Sequence, residues 1–327
     1  MRQVRRILYV RTDRVGDALM NLPALRVLRQ NYPKAWMTLM TDKSVSGLFK
    51  GHPDLDEVLE VDAGELAQNA ALRGALVRKT RDIHYDLAVI SNPSKFFHWL
   101  AFAGGIPLRV GWRRKWPFFL NRTLPDHKDK ARAHEMDSNL SLAALVCEKR
   151  WDGLLRLGRE EAASKKMKQV LEDYCGPQGV IAVHTGTSHS LKRWPAENYA
   201  QLCRGIQVRR KYRVVFVGGP EETGPVEGIL RRLDDAALDL TGKTSWQELA
   251  ALLADERVKT LVSSDSGPVH IAWILGKPVV ALYARGVPGS DPVRWGPRGG
   301  RSRVIFKPMN EIKTDEVLQK LEEVLAT

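Results

Sequence analysis

Cysteine is scarce in this chain of 327 residues: Cys147, Cys175 and Cys203 are far apart and odd in number. That argues against a disulfide framework or a metal site and suits buried thiols in a reducing compartment. Long apolar runs are missing too. The longest candidate, 96–108, contains His98, two glycines and Pro107, so it reads as helix and loop, not as a membrane span. The basic N-terminus, with Arg2, Arg5 and Arg6, runs straight into a strand without an apolar core or a small-residue cleavage site, so export is not expected. No glycine-rich dinucleotide fingerprint follows the first strand, which weakens a nicotinamide dehydrogenase. Acidic residues are outnumbered, 38 against 51 basic, and the formal charge of +13 implies an anionic partner.

What is present is the composition of a globular protein, 43% hydrophobic and 27% charged, at a length that calls for two domains. Strand-like runs at 7–10, 36–41, 57–61 and 87–90 alternate with helical composition at 17–31, 64–80 and 135–147. The same grammar returns at 180–184, 213–217, 260–264 and 279–283, short apolar runs of the kind found in parallel strands covered on both faces. The expected architecture is α/β: two Rossmann-like, doubly wound parallel-sheet domains, 1–157 and 158–327, facing each other across a cleft. The last helix, 314–326, is expected to pack across that cleft.

Four loops at strand ends carry polar groups suited to chemistry. The first, from Arg11 to Asp17, enters the first helix; Gly16 lets the backbone approach a ligand, and Asp17 is either a catalytic carboxylate or a helix N-cap, with Asp13 as the competing acid. Arg11 and Arg14 hold a phosphate or face water. The second, from Thr185 to Pro195, has the composition of a phosphate-binding loop, with Thr187, Ser188 and Lys192, but not the spacing of a P-loop. Pro195 is expected to open the next helix. In the third, Asp265, Ser266, Gly267 and His270 stand where a strand turns into a helix whose N–H groups suit an anion, and His270 faces either a phosphate or the core. The fourth, 218–222, offers Glu221 or Glu222 as an acceptor for ribose hydroxyls, or as an acid placed against a helix dipole.

The stretch 109–132 holds eight basic residues against Asp126 and Asp129, with Trp112, Trp116, Phe118 and Phe119 among them. Such a mixture suits nucleic acid, a membrane surface or a phosphorylated lipid, or is simply a solvated face.

Taken together, Asp13-Arg14-Val15-Gly16-Asp17-Ala18 with Leu22-Pro23-Ala24-Leu25, then Lys192-Arg193-Trp194-Pro195, then Asp265-Ser266-Gly267-Pro268-Val269-His270 resemble glycosyltransferase family 9, the lipopolysaccharide heptosyltransferases. The segments from Gly105 to Trp112 and around His134, Asp137 and Leu140 look like that family's first domain. The resemblance implies a GT-B type fold and an inverting transfer of heptose from ADP-heptose to the inner core of lipopolysaccharide, without a required metal or other cofactor. It makes Asp17 the general base and Lys192 the group that stabilises the departing diphosphate. Donor contacts fall on Thr187, Ser188, Glu221, Asp265, Ser266, Gly267 and His270. Acceptor contacts fall on Arg11, Arg14, Arg113, Arg114 and Lys115, facing an anionic lipid-linked saccharide. The implied setting is the cytoplasmic face of the inner membrane of a Gram-negative bacterium, with the protein peripheral to it. Arg11 stands where relatives often carry lysine, and His189-Ser190-Leu191 replaces a variable loop, which leaves the donor sugar open. The rivals are a sugar-nucleotide epimerase or hydrolase on the same plan, a transferase using another nucleotide sugar, and a basic nucleic-acid-binding protein. No RNA-binding signature supports the last, and nucleic acid is not an expected partner.

Overall fold

Isoleucine, leucine and valine dominate the short runs that end in polar loops, and such runs gain most when both faces of a strand are covered. In the first unit this produces β1 (Arg6–Val10), β2 (Trp36–Asp42), β3 (Glu57–Val61), β4 (Leu87–Ile90), β5 (Leu108–Trp112) and β6 (Arg122–Leu124). The computed structural model describes residues 3–126, 133–187, 189–208, 212–233 and 236–326. It divides into two units, Met1–Gly158 and Arg159–Thr327. The second unit contains β7 (Gly179–His184), β8 (Tyr212–Val217), β9 (Leu238–Asp239), β10 (Val258–Ser264), β11 (Val279–Ala284) and β12 (Arg303–Lys307).

Both sheets are parallel throughout. Their orders are β3-β2-β1-β4-β5-β6 and β12-β11-β10-β7-β8-β9. In the first, Ile7 sits opposite Met37 on one side and Leu87 on the other. In the second, Val183 sits opposite Phe216 and Val262. Ile7 to Val10 and Val180 to Val183 are fully buried, as central strands flanked by helices require. Strand order reverses beside β1 in one sheet and beside β7 in the other, so the carboxyl ends of β1 and β4, and of β7 and β10, each border a crevice where ligands bind in open α/β sheets.

The sequence reading needs correction at two helices. The stretch 17–31 is two helices, Val15–Leu19 and Leu22–Asn31. Pro23 has no N–H to continue the first, and Asn21 occupies the break, donating to the Asp17 and Ala18 carbonyls and accepting from the Tyr9 hydroxyl at 2.6 Å. The stretch 64–80 is likewise two, Ala63–Gln68 and Ala70–Ile83, because Asp62 and Asn69 each cap a new N-terminus. Strands β5, β6, β9 and β12 complete the sheets beyond the runs read from sequence.

Gly158 ends the first unit at a close approach: a Cβ there would lie 2.1 Å from the Lys50 carbonyl oxygen. The final helix, Thr314–Leu325, buries Val317, Leu321 and Val324 in the core of the second unit, against β10, β11, β12 and the helix Ala196–Val208. Among the described residues no helix is long and apolar enough to cross a membrane.

Candidate active site

In the first unit the crevice is organised by a buried guanidinium. Arg11, immediately after β1, is 3% exposed. Its Nε donates to Asp13 Oδ1 at 2.5 Å, its Nη2 to Asp17 Oδ1 at 2.7 Å and its Nη1 to the Ser91 carbonyl, just past β4, at 3.2 Å. Glu135 Oε1 lies 3.8 Å from Nη1 on its buried side. Asn92 donates to the Thr12 hydroxyl, and Trp112 Nε1 to the Ser91 carbonyl, so the ends of β1, β4 and β5 are tied together. Asp17 is not a helix N-cap. Arg14 holds that position, and Asp17 lies in the first turn, where helix N–H groups favour a carboxylate. Burial raises the Asp13 pKa above the usual carboxylate range, against the pull of Arg11, and the neighbouring Asp17 adds to the rise. Asp13 and Asp17 remain partly open to solvent, at 37% and 29% side-chain exposure.

In the second unit the loop after β7 carries Lys192 on the 3-10 turn Ser190–Lys192. Its Nζ donates to Asp265 Oδ2 at 2.7 Å and to the Gly289 carbonyl at 3.3 Å, and the pair is buried. The Thr185 and Thr187 hydroxyls are buried with no hydrogen-bond partner among the described residues. Buried hydroxyls left so ask for a ligand or water to complete them. Opposite them, after β10, the helix Gly267–Ile274 begins at Ser266, whose side chain does not cap it. The Ser266 hydroxyl instead meets His184 Nδ1 at 3.1 Å and Ser263 Oγ at 2.9 Å. Burial pushes the His184 imidazole down to about 4, which keeps it neutral near pH 7. Lys192, the hydroxyls and a helix N-terminus lie at one pair of strand ends, groups of the kind that anion sites use.

In the fourth loop the two glutamates differ in burial. Glu221 is exposed, whereas Glu222 is buried, accepts from the Gly219 N–H at 2.5 Å, and packs on the loops after β7 and β8. A Cβ on Gly186 would lie 2.1 Å from Glu222 Oε1, so glycine is needed there for the carboxylate to fit. Burial, helped by Glu221, raises the Glu222 pKa.

Thus Arg11 and Asp17 form one cluster, and Thr187, Lys192, Asp265, Ser266 and Gly267 border the other crevice. Arg11 faces neither water nor an open ligand surface, because its guanidinium is enclosed by Asp13, Asp17, Ser91 and Glu135. Arg14 is exposed. Arg113, Arg114 and Lys115 are exposed beyond β5, with Arg114 3.2 Å from Asp126. His270 is buried, its ring 6.5 Å from that of Trp295. Ser188, and the basic residues Lys128, Lys130 and Arg132, lie outside the described residues. Pro195 precedes the helix Ala196–Val208, and its carbonyl accepts from the Tyr199 N–H at 3.3 Å. Sequence reasoning gave no role to Glu135, His184 or Ser263; the visible signal for His184 was a polar residue closing an apolar strand. Among the described residues, no group of three His, Cys, Asp or Glu side chains is arranged to hold a metal ion.

A family model described as glycosyltransferase family 9 (heptosyltransferase) matches residues 73–324. The chain is 25% identical over 318 residues to lipopolysaccharide heptosyltransferase 2 of Salmonella typhimurium, covering 92% of this chain and 87% of that one. Among solved structures it is similar to the glycosyl transferase family 9 protein of Veillonella parvula, with a TM-score of 0.87 at 22% identity over 100% of this chain and 99% of the other. It is also similar to the E. coli ADP-heptose lps heptosyltransferase II, with a TM-score of 0.81 at 24% identity over 98% of each. These likenesses agree with the GT-B type fold expected from the sequence. The match begins in the first unit and runs to the final helix, and on that ground this chain belongs to glycosyltransferase family 9 and is a glycosyltransferase.

Proposed function

We propose that the chain transfers a heptose from ADP-heptose to the inner core of lipopolysaccharide with inversion at the anomeric carbon. One observation carries the reading: Lys192, the buried hydroxyls of Thr185 and Thr187, and the helix N-terminus at Ser266 and Gly267 border one crevice of the second unit. That is a setting for a diphosphate. Relatives named for heptose transfer to lipopolysaccharide supply the choice of sugar and acceptor.

In this reading Asp17 draws the proton from the acceptor hydroxyl as its oxygen attacks the anomeric carbon. The bond from that carbon to the diphosphate oxygen breaks, and its electron pair leaves with ADP. Lys192 and the helix N-terminus meet the charge that develops on the leaving group, so no metal is required for it. Arg11 orients the base instead of contacting the acceptor. Asp265 aligns Lys192, Ser188 and His270 complete the donor wall, and Arg14, Arg113, Arg114 and Lys115 meet the anionic groups of a lipid-linked saccharide. The protein then works as a peripheral enzyme at the cytoplasmic face of the inner membrane.

Glu222 takes over the ribose contact that the sequence reading assigned to Glu221. Glu222→Gln is expected to weaken ADP binding about tenfold near neutral pH, since it removes a charged acceptor. Wild-type affinity falls as pH drops through the raised Glu222 pKa, because protonation removes the same acceptor, and the gap to the variant closes. Calorimetric titration with ADP at several pH values checks this.

Mass spectrometry tests the function itself. Purified protein supplied with ADP-heptose and a truncated lipopolysaccharide core is expected to yield the core plus one heptose. A product from another nucleotide sugar alone, or acceptor-independent turnover, overturns the assignment.

A further inference from the structure

Between Asp86 and Asp126 the chain contains no Asp or Glu, yet it contains Lys95, Arg109, Arg113, Arg114, Lys115 and Arg122. The same stretch places large aromatic side chains in solvent: Phe118 is 71% exposed, Phe102 52%, Trp116 44% and Trp99 36%. These rings are not scattered. Phe118 lies 4.6 Å from Phe119 and 6.2 Å from Trp116, and Phe102 lies 5.1 Å from Phe119. Contiguous exposed aromatics mark an interaction surface more often than isolated ones do.

The backbone holds this surface outward. Lys115 and Trp116 adopt left-handed φ values of 51° and 65°, a conformation that costs free energy without glycine. Buried His98 supports the turn, with Nδ1 2.9 Å from the Lys115 carbonyl oxygen. The turn Pro117–Phe119 follows. Cations surround the rings. Lys95 Nζ lies 5.3 Å over Trp116, and the Arg109 guanidinium 5.5 Å over Phe102. Beside Trp116 a recess of about 460 Å³ is lined by Leu66, Phe96 and Trp99 together with Lys95 and Arg73.

We propose that this aromatic and basic face docks the first unit on a bilayer containing anionic phospholipid. Phe118 and Trp116 enter the interfacial layer, Arg113, Arg114 and Lys115 meet phosphates at the bilayer surface, those of phospholipid headgroups as well as those of the lipid-linked acceptor, and the recess beside Trp116 receives apolar lipid. Exposed aromatics ringed by cations fit an interface that is apolar below and anionic above. The rings contact one another, which leaves no slots for successive bases, so single-stranded nucleic acid fits less well. A second copy of the same face brings like charges together. The inference rests on the reading that the acceptor is lipid-linked, and it names the surface that brings the enzyme to it.

The test is co-sedimentation of the full chain with phosphatidylcholine vesicles, with and without phosphatidylglycerol, at about 0.15 M salt. Wild type is expected to sediment with the anionic vesicles only, and to be released by added salt. Phe118→Ser and the double variant Trp116→Ser/Phe118→Ser are expected to lower partitioning about tenfold or more. Arg113→Glu/Arg114→Glu/Lys115→Glu is expected to abolish it. Unchanged circular-dichroism melting shows that each variant is folded, and ADP affinity is expected to be unchanged in all of them. No binding of wild type to anionic vesicles overturns the proposal. So does aromatic substitution without effect, or release of the vesicles by a competing oligonucleotide at equal charge. Transfer by Phe118→Ser to a deacylated, water-soluble core separates the two readings. Activity there with vesicle binding lost supports the docking face, whereas vesicle binding by wild type without any transfer removes the proposed reaction and leaves the surface standing.

Discussion

Asp17→Asn is expected to lower kcat by about 10²- to 10⁴-fold while leaving ADP affinity unchanged. The amide is nearly isosteric, and its oxygen can still accept from Arg11 Nη2, which lies 2.7 Å from Asp17 Oδ1. The arrangement of the loop therefore survives and only the proton acceptor is lost. Asp13→Asn is the matched control. Asp13 lies on the Nε side of the same guanidinium and precedes the helix, whereas Asp17 lies in the helix's first turn. The expected loss there is smaller. Steady-state kinetics with ADP-heptose and a truncated core measure both. If Asp13→Asn falls by orders of magnitude while Asp17→Asn keeps full activity, the base is Asp13.

Arg11→Met is expected to cost about 3–5 kcal/mol of stability, because it removes the cation from a group of three carboxylates. Glu135, whose side chain is 1% exposed and 3.8 Å from the Arg11 guanidinium, loses a buried counter-charge, whereas Asp13 and Asp17 retain solvent screening. Glu135→Gln in the Arg11→Met background should recover part of the loss. Urea unfolding followed by circular dichroism checks this, reading the transition of the first unit, since two units need not unfold together. A shift within about 0.5 kcal/mol for Arg11→Met would mean that Arg11 is not a structural counter-charge.

Central strands were legible in the sequence because their apolar runs are unbroken. The edge strand β9 was not, being two residues long and held by its pairing with β8. The break at Asn21 is marked by Pro23, and the Tyr9 hydroxyl that holds Asn21 there is a tertiary contact that local helical composition does not show. Asp17, Lys192 and Asp265 stood out as polar residues in loops after strands, and the family resemblance supplied the roles expected of them. The burial of Arg11 was not legible, for the converse reason. A basic residue beside two acids reads as a surface charge until Ser91 and Glu135, distant in sequence, are seen to enclose it. The different burial of Glu221 and Glu222 was not legible either, because it is set by the turn Pro220–Glu222, which directs the second inward over Gly186 and Gly218.

The proposed reaction is one direct displacement, assisted by a single base, in which the leaving diphosphate departs opposite the attacking hydroxyl. Nuclear magnetic resonance of the anomeric position, comparing the sugar in the donor with the sugar in the isolated product, tests it most directly. Direct displacement predicts the opposite anomeric configuration in the product. The same configuration as in the donor would contradict it.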